Sequence, residues 1–222
     1  MGAENTRFRA LVQGSKIKVA IVNVGLGNVG SLKGALESLG LDAYLASNPA
    51  DLDGASHLIL PGVGSFPAAM QRLSQTGIRE GVRDHAAKGK PLLGICLGMQ
   101  ILASWGDEGV GSEGLGLLAG KVLALPRVSG IRIPHVGWNS VEHRRNHPVL
   151  EKLKSGVDYY FVHSFAFSPE LPECVYAETN YGTRYASAIG LGSIFGVQFH
   201  PEKSQKNGLR LLENFCQWNV LS

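Results

Sequence analysis

The chain has 222 residues, 44% of them hydrophobic and 18% charged, a composition that suits a globular protein and excludes a disordered one. Its 21 Lys and Arg against 18 Asp and Glu give a formal charge of +3, and the densest basic patches are only RFR, VEHRR and HPEKSQK, so no nucleic-acid partner is expected. No apolar run approaches the roughly 18 residues of a membrane-spanning helix, so no membrane association is expected either.

The three cysteines, Cys96, Cys174 and Cys216, are odd in number, irregularly spaced and without a CxxC. They give no disulfide framework and suit a reducing compartment, so a cytoplasmic location is expected. Nothing in the pattern calls for a metal or a cofactor. Residues 1–15 lack a long hydrophobic segment and read as a flexible N-terminal extension, with a single domain over residues 16–222.

KIKVAIVNVG, residues 16–25, is a short apolar run ending in Gly and reads as a central strand. Leu32, Leu36 and Leu39 then recur at helical spacing, with Gly40 as a stop. LDAYLAS is a second strand, and HLILPGVGSF, residues 57–66, a third with a glycine-rich exit. One or two helices follow, then the strand PLLGIC and a helix over LGMQILASWG. This strand–turn–helix alternation predicts an α/β fold with an open, mostly parallel sheet flanked by helices. From residue 110 onward, short strands punctuated by Gly and Pro predict an added mixed or antiparallel portion. NGLRLLENFCQWNVL closes the chain as an amphipathic helix, with Leu209, Leu212, Phe215 and Cys216 on its apolar side. Cys174 and Cys216 read as structural residues.

The stretch GICLGMQ, residues 94–100, puts a cysteine where a strand turns into a helix. That is the strand–elbow–helix arrangement of a nucleophile, with small residues two positions before and after Cys96 to let the backbone turn sharply. A helix N-terminus favours the thiolate, and the N–H groups that follow are free to hold an oxyanion. A cysteine in an apolar run is more often only a core residue, so the motif needs a base. Of the seven histidines, His57, His85, His143 and His147 read as surface residues, and His163 in YFVHSF is harder to dismiss. His200 stands out: it ends IFGVQFH and precedes Pro201 and Glu202. In an extended segment residues i and i+2 point the same way, so Glu202 can orient His200 and favour its protonated form. PGVG, residues 61–64, also leaves a buried-looking strand, and its glycines free backbone N–H groups to approach a ligand. Both loops belong at the carboxyl ends of parallel strands, where open α/β sheets bind ligands.

PGVG, GICLGMQ and GVQFHPE together resemble the class I, triad-type glutamine amidotransferases from about residue 17 onward. The resemblance implies that Cys96, His200 and Glu202 form a triad that attacks the side-chain amide of glutamine. It also implies an oxyanion hole from backbone N–H groups near Val63 or Gly64 and at Leu97, with Gln100, Ser164 and Phe165 contacting glutamine. VGLGNVGSLKGAL, PHVGWN, YFVHSF and HPEKS narrow the likeness to the glutaminase subunits of imidazole glycerol phosphate synthase. These hydrolyse glutamine to glutamate and ammonia for histidine biosynthesis and pass the ammonia through a channel to a (β/α)₈ cyclase. A chain closing at Ser222, just after its last helix, leaves no room for a second synthase domain, so that cyclase is expected on a separate polypeptide. Trp138, an aromatic in a loop, and Lys203, beside the triad glutamate, are the expected partner-interface residues, with Arg144 and Arg145 adding a basic rim. Two departures from the family pattern are Asn23-Val24, in place of an Asp-Tyr pair, and Phe165, in place of Tyr. The competing readings are the amidotransferase subunit of another synthase, a non-enzymatic subunit that kept the fold, and a cysteine hydrolase of esters or peptides.

Overall fold

The computed structural model describes residues 17–25, 27 and 29–219, so the expected extension over residues 1–15 lies outside the described residues. Five parallel strands form half of the main sheet: β1 (Lys18–Val22), β2 (Asp42–Ala46), β3 (His57–Gly62), β4 (Leu92–Cys96) and β13 (Ile194–Val197). Their spatial order is β2-β1-β3-β4-β13. β12 (Thr183–Leu191), β11 (Val175–Tyr181), β8 (His135–His143) and β9 (Val157–His163) extend this sheet as antiparallel neighbours. A second, smaller sheet holds β10 (Phe165–Pro169), β7 (Gly120–Ala124), β5 (Trp105–Gly106) and β6 (Ser112–Glu113). The expected mostly parallel α/β sheet with an antiparallel addition is therefore the observed architecture.

Apolar side chains alternate across the parallel strands because both faces are covered. In β1, Val19 and Ile21 enter one core and Ala20 and Val22 the other. The first core is closed by α1 (Val29–Ser38) through Leu32 and Leu36, and by α5 (Gln205–Gln217) through Leu211, Leu212, Phe215 and Cys216. The buried stripe of α5 thus uses Leu211, while Leu209 is only half-buried. The second core is closed by α2 (Phe66–Gln75) and α3 (Ile78–Ala87), with Phe66, Met70, Leu73, Ile78 and Val82. His57 and His85, expected at the surface, are buried: their Nε2 atoms meet the carbonyls of Trp218 and Pro91 at 3.1 and 3.0 Å. Cys174 lies buried in a 3-10 turn just before β11. No helix among the described residues is long and apolar enough to cross a membrane.

The helix after Cys96 is much shorter than its sequence suggests. α4 (Leu97–Gln100) is a single turn. The carbonyls of Ile101, Leu102, Ala103 and Ser104 accept from the N–H groups of residues 114–118, and Ser104 N–H donates to the Gly120 carbonyl at 3.0 Å. These long-range bonds use the groups that a continuing helix would need, and they draw the chain into the small sheet.

α5 is seated directly on the 3-10 turn Pro201–Lys203 that follows His200. The contact requires a glycine, because a Cβ at Gly208 would collide with the Pro201 carbonyl oxygen. Gly208→Ala is expected to destabilise the protein by about 1–3 kcal/mol in urea denaturation, the usual range for overpacking. An unchanged midpoint would show that the helix is not held so closely.

Candidate active site

Three adjacent parallel strands, β3, β4 and β13, end along one edge of the sheet. Their carboxyl ends deliver PGVG, Cys96 and the segment leading to His200 to the same place, because parallel neighbours must exit on the same side. Between them lies a cleft of about 300 Å³ lined by Val63, Gly64, Cys96, Leu97, Gln100, Glu108, Pro134, Val162, His163, Ser164 and Phe165.

Cys96 has φ 55° and ψ −112°, a left-handed conformation that L-residues rarely adopt. The sharp turn forces the next residues against β3: a Cβ at Gly98 would collide with the Leu60 carbonyl oxygen. Leu97 opens α4, so its N–H has no acceptor within the helix. With only one turn behind it, that N–H acts as a local donor rather than as the end of a large helix dipole. The Cys96 sulfur lies 3.7 Å from the Val162 carbonyl oxygen and 3.8 Å from Gln198 Nε2.

His200 and Glu202 are almost fully buried, and His200 Nδ1 meets Glu202 Oε1 at 2.9 Å. Nδ1 therefore carries a proton, and Nε2 is the edge available for chemistry. That Nε2 is buried without a hydrogen-bond partner among the described residues. Burial pulls the imidazole pKa down, but the neighbouring Cys96 and the Glu202 carboxylate bonded to Nδ1 together outweigh it and push the value up to about 9. The backbone of His200 is fixed as well. Its N–H donates to the Tyr160 carbonyl at 2.9 Å, and its carbonyl accepts from Ser204 Oγ at 2.6 Å. Ser204 Oγ also accepts from Tyr160 N–H at 3.0 Å, so the last residue of HPEKS ties the histidine turn to β9.

The remaining sequence-selected residues divide into two groups. Val63, Gly64, Leu97, Gln100, Ser164 and Phe165 all line the cleft with Cys96. Gln100 spends both protons of its NH₂ group internally, on the Phe165 carbonyl at 2.8 Å and on Gln198 Oε1 at 3.1 Å. Trp138 and Lys203 lie outside the cleft. Trp138 sits on β8, opposite Tyr160 of β9, rather than in a loop; the alternation of buried His135 with exposed Val136 shows why PHVGWN runs as a strand. The Trp138 ring is 6.1 Å from that of Tyr160, and Lys203 Nζ is 5.6 Å from the same ring, so the three form one exposed-side cluster. Arg144 and Arg145 do not join it: Arg144 pairs with Glu178 at 2.6 Å, and Arg145 bonds the Glu173 carbonyl. At the departures, Asn23 N–H donates to the Ala46 carbonyl at 2.8 Å and Val24 is buried. The motif VGLGNVGSLKGAL includes residues 26 and 28, which lie outside the described residues.

Three residues escaped the sequence reading. Glu108 brings a carboxylate to the cleft, held by the N–H of Phe66 at 2.7 Å, from a glycine-rich stretch that gives no signal of its role. Gln198 is fully buried beside the Cys96 sulfur, and Ser204 fixes His200. His163 does line the cleft, but its Nδ1 meets the Phe165 carbonyl at 2.8 Å, and burial lowers its pKa to about 4. It is held neutral and directs no basic edge at Cys96. Among the described residues no group of three or more His, Cys, Asp or Glu side chains is arranged to hold a metal.

The histidine electrostatics give a direct test. A folded pKa near 9 against an ordinary 6.5 means that the native state holds this proton more tightly than the unfolded chain. The resulting stabilisation is complete below pH 6.5 and is lost as pH rises through 9. Glu202→Gln removes one of the two supports, so the His200 titration followed by NMR is expected to drop by about one unit or more. A titration unmoved in that variant would remove Glu202 as its electrostatic partner.

The protein-family model for class-I glutamine amidotransferases matches residues 20–218. The imidazole glycerol phosphate synthase subunit HisH of Symbiobacterium thermophilum is 46% identical over 198 residues, covering 89% of this chain and 92% of the relative. The subunit of the same name from Aquifex aeolicus is 43% identical over 200 residues, covering 90% and 96%. Among solved structures, a glutamine amidotransferase superposes with a TM-score of 0.70 at 25% identity, covering 90% of this chain and 97% of that one. The PurLQS structure from Thermotoga maritima gives a TM-score of 0.72 at 22% identity, covering 90% and 97%, a likeness of fold alone. With the family model matching residues 20–218 and HisH-like relatives aligned over 89–90% of it, the chain belongs to the class-I glutamine amidotransferases.

Proposed function

We propose that this chain is the glutaminase subunit of an imidazole glycerol phosphate synthase, that Cys96, His200 and Glu202 are its catalytic triad, and that the ammonia it releases passes to a separate (β/α)₈ cyclase. The observation that carries the chemistry is the strained Cys96 turn beside a buried histidine whose far nitrogen is bonded to Glu202 at 2.9 Å. The synthase assignment is supported by relatives of that name at 43–46% identity.

The reaction is acyl transfer. The Cys96 thiolate attacks the carboxamide carbon of glutamine, and the carbonyl oxygen becomes an oxyanion. The Leu97 N–H and one from Val63 or Gly64 are the proposed donors to it. The His200 imidazolium gives its Nε2 proton to the leaving nitrogen, the C–N bond breaks, and ammonia departs from a glutamyl thioester. Neutral His200 then takes a proton from water as that water attacks the thioester, and glutamate leaves with the thiolate restored. Glu202 holds the imidazole by Nδ1 throughout. The Gln100 NH₂ is already committed, so its Oε1 is the atom it can offer to glutamine, and the Glu108 carboxylate complements the substrate's α-ammonium. The Phe165 carbonyl already accepts from Gln100 and His163, which leaves Phe165 its ring and N–H for the substrate and gives the missing tyrosine hydroxyl no essential part.

Cys96→Ala is expected to abolish glutamine hydrolysis measured with the cyclase and its nucleotide substrate present; undiminished turnover would overturn the triad. In the wild type, kcat/KM is expected to fall above pH about 9 as His200 loses its proton. Trp138→Ala and Lys203→Ala are expected to weaken association with the cyclase on co-purification, and unchanged association would remove them as anchors. Restoration of a different synthase's activity by this chain would replace the histidine-pathway assignment with another amidotransferase role.

A further inference from the structure

Gln198 is fully buried between the candidate nucleophile and the wall of the cleft, and its orientation is set without ambiguity. Two donors converge on the Phe165 carbonyl: His163 Nδ1 at 2.8 Å and the Gln100 side chain at 2.8 Å. A carbonyl can only accept, so the Gln100 atom there is its NH₂ group. The same Nε2 lies 3.1 Å from Gln198, so the Gln198 atom facing it must be the acceptor Oε1. Gln198 Nε2 therefore points the other way, toward the Cys96 sulfur at 3.8 Å.

The chain of bonds continues on the far side of Phe165. With Nδ1 committed as a donor, neutral His163 presents Nε2 as an acceptor, 3.1 Å from Tyr185 OH and 3.2 Å from His135 Nδ1. His135 Nδ1 also lies 2.9 Å from Tyr185 OH. The Asn139 NH₂ group lies 3.4 Å from His135 Nε2 and donates to the Asn180 carbonyl at 3.0 Å, while its Oδ1 accepts from Ser140 N–H at 2.8 Å. With the Asn139 NH₂ on Nε2, neutral His135 carries its proton on Nδ1, facing His163 Nε2 and Tyr185 OH, and burial holds both histidines neutral, each lowered to about 4.

We propose that Gln198 is a positioning residue for the nucleophile: its NH₂ group donates to the Cys96 sulfur and fixes the orientation of that side chain, and the Gln100–Phe165–His163–His135 chain locks Gln198 in place. A buried amide N–H aimed at sulfur favours the thiolate over the thiol and restricts the side-chain torsion. A residue that merely filled space would do neither. The proposal rests on Cys96 being the nucleophile.

The test is the pH dependence of Cys96 alkylation by iodoacetamide, read by peptide mass. It is joined to steady-state glutamine hydrolysis in the complex with the cyclase. The other two cysteines are buried, with thiols pushed up by that burial, so they react far more slowly. Gln198→Met keeps the volume and removes the donor. It is expected to move the alkylation profile to higher pH and to lower kcat by about 10-fold or more, with KM for glutamine little changed. An unchanged profile with unchanged kcat overturns the proposal. Should that variant fail to fold, the side-chain amide resonances of Gln198 in the otherwise native protein decide. They are expected to titrate together with Cys96 alkylation and to shift in Cys96→Ala; indifference to both overturns the proposal. Failure of the underlying reading looks different: Cys96→Ala would then retain glutaminase activity, whatever Gln198 does.

Discussion

The strained turn at Cys96 is the constraint on which the rest of the site depends. Holding an L-residue at φ 55° costs on the order of 1–3 kcal/mol, which the surrounding packing must offset. The offset comes from the sheet. β4 is buried on both faces between β3 and β13, and the residues just after the turn rest on the backbone of β3 at Leu60. Any side chain at residue 98 would separate α4 from that strand and let the turn relax. The thiol is thus presented by the packing of two β-strands and one short helix, and the loop itself needs no rigidity of its own.

The same strand order explains why the partners of Cys96 come from so far away in sequence. His200 follows β13, the neighbour of β4 on one side, and Val63 follows β3, the neighbour on the other. Once the parallel order is fixed, the three exits are adjacent, and only the last few ångströms need tuning. For His200 that tuning is done by Ser204 and by the bond from His200 N–H to Tyr160. Both bonds reach β9, so the position of the imidazole is referred to the antiparallel half of the sheet and the position of the thiol to the parallel half. Tyr160 also carries Trp138 and Lys203 on its ring, which places the exposed aromatic cluster one residue's breadth from the backbone that holds His200.

What was legible in the sequence was local. GICLGMQ announces a turn because glycine stands on both sides of Cys96, and HPE announces an oriented imidazole because residues two apart share a side of an extended chain. The strand–helix alternation of the first half was equally readable, since each element carries its own period. What the sequence did not show was set by pairing across long separations. The single-turn length of α4 follows from residues 114–118 taking the carbonyls of residues 101–104. Gln198 sits in the middle of an apolar strand-end run, where it reads as an exception rather than a function; its meaning appears only when Gln100 and Cys96, about a hundred residues earlier, arrive on either side. His57 and His85 looked like surface residues because no sequence pattern records that the Trp218 and Pro91 carbonyls await them.

The site holds two histidines in opposite electrostatic states, and the difference follows from what each faces. His200 has a carboxylate on Nδ1 and sulfur beside Nε2, both of which favour the charged form strongly enough to overcome burial. His163 has a backbone carbonyl on Nδ1 and another neutral histidine and a tyrosine hydroxyl on Nε2. A carbonyl dipole gives less support than a full negative charge, so at His163 desolvation wins. The positive charge on His200 then opposes protonation of His163 further, because like charges disfavour one another. A single protonated imidazole therefore faces the thiol, and the second ring serves as a fixed donor to the cleft wall. Had Glu202 stood beside His163 instead, the proton would rest there, on a ring whose two nitrogens are already engaged by Phe165 and by the His135–Tyr185 pair, with no free edge from which to deliver it.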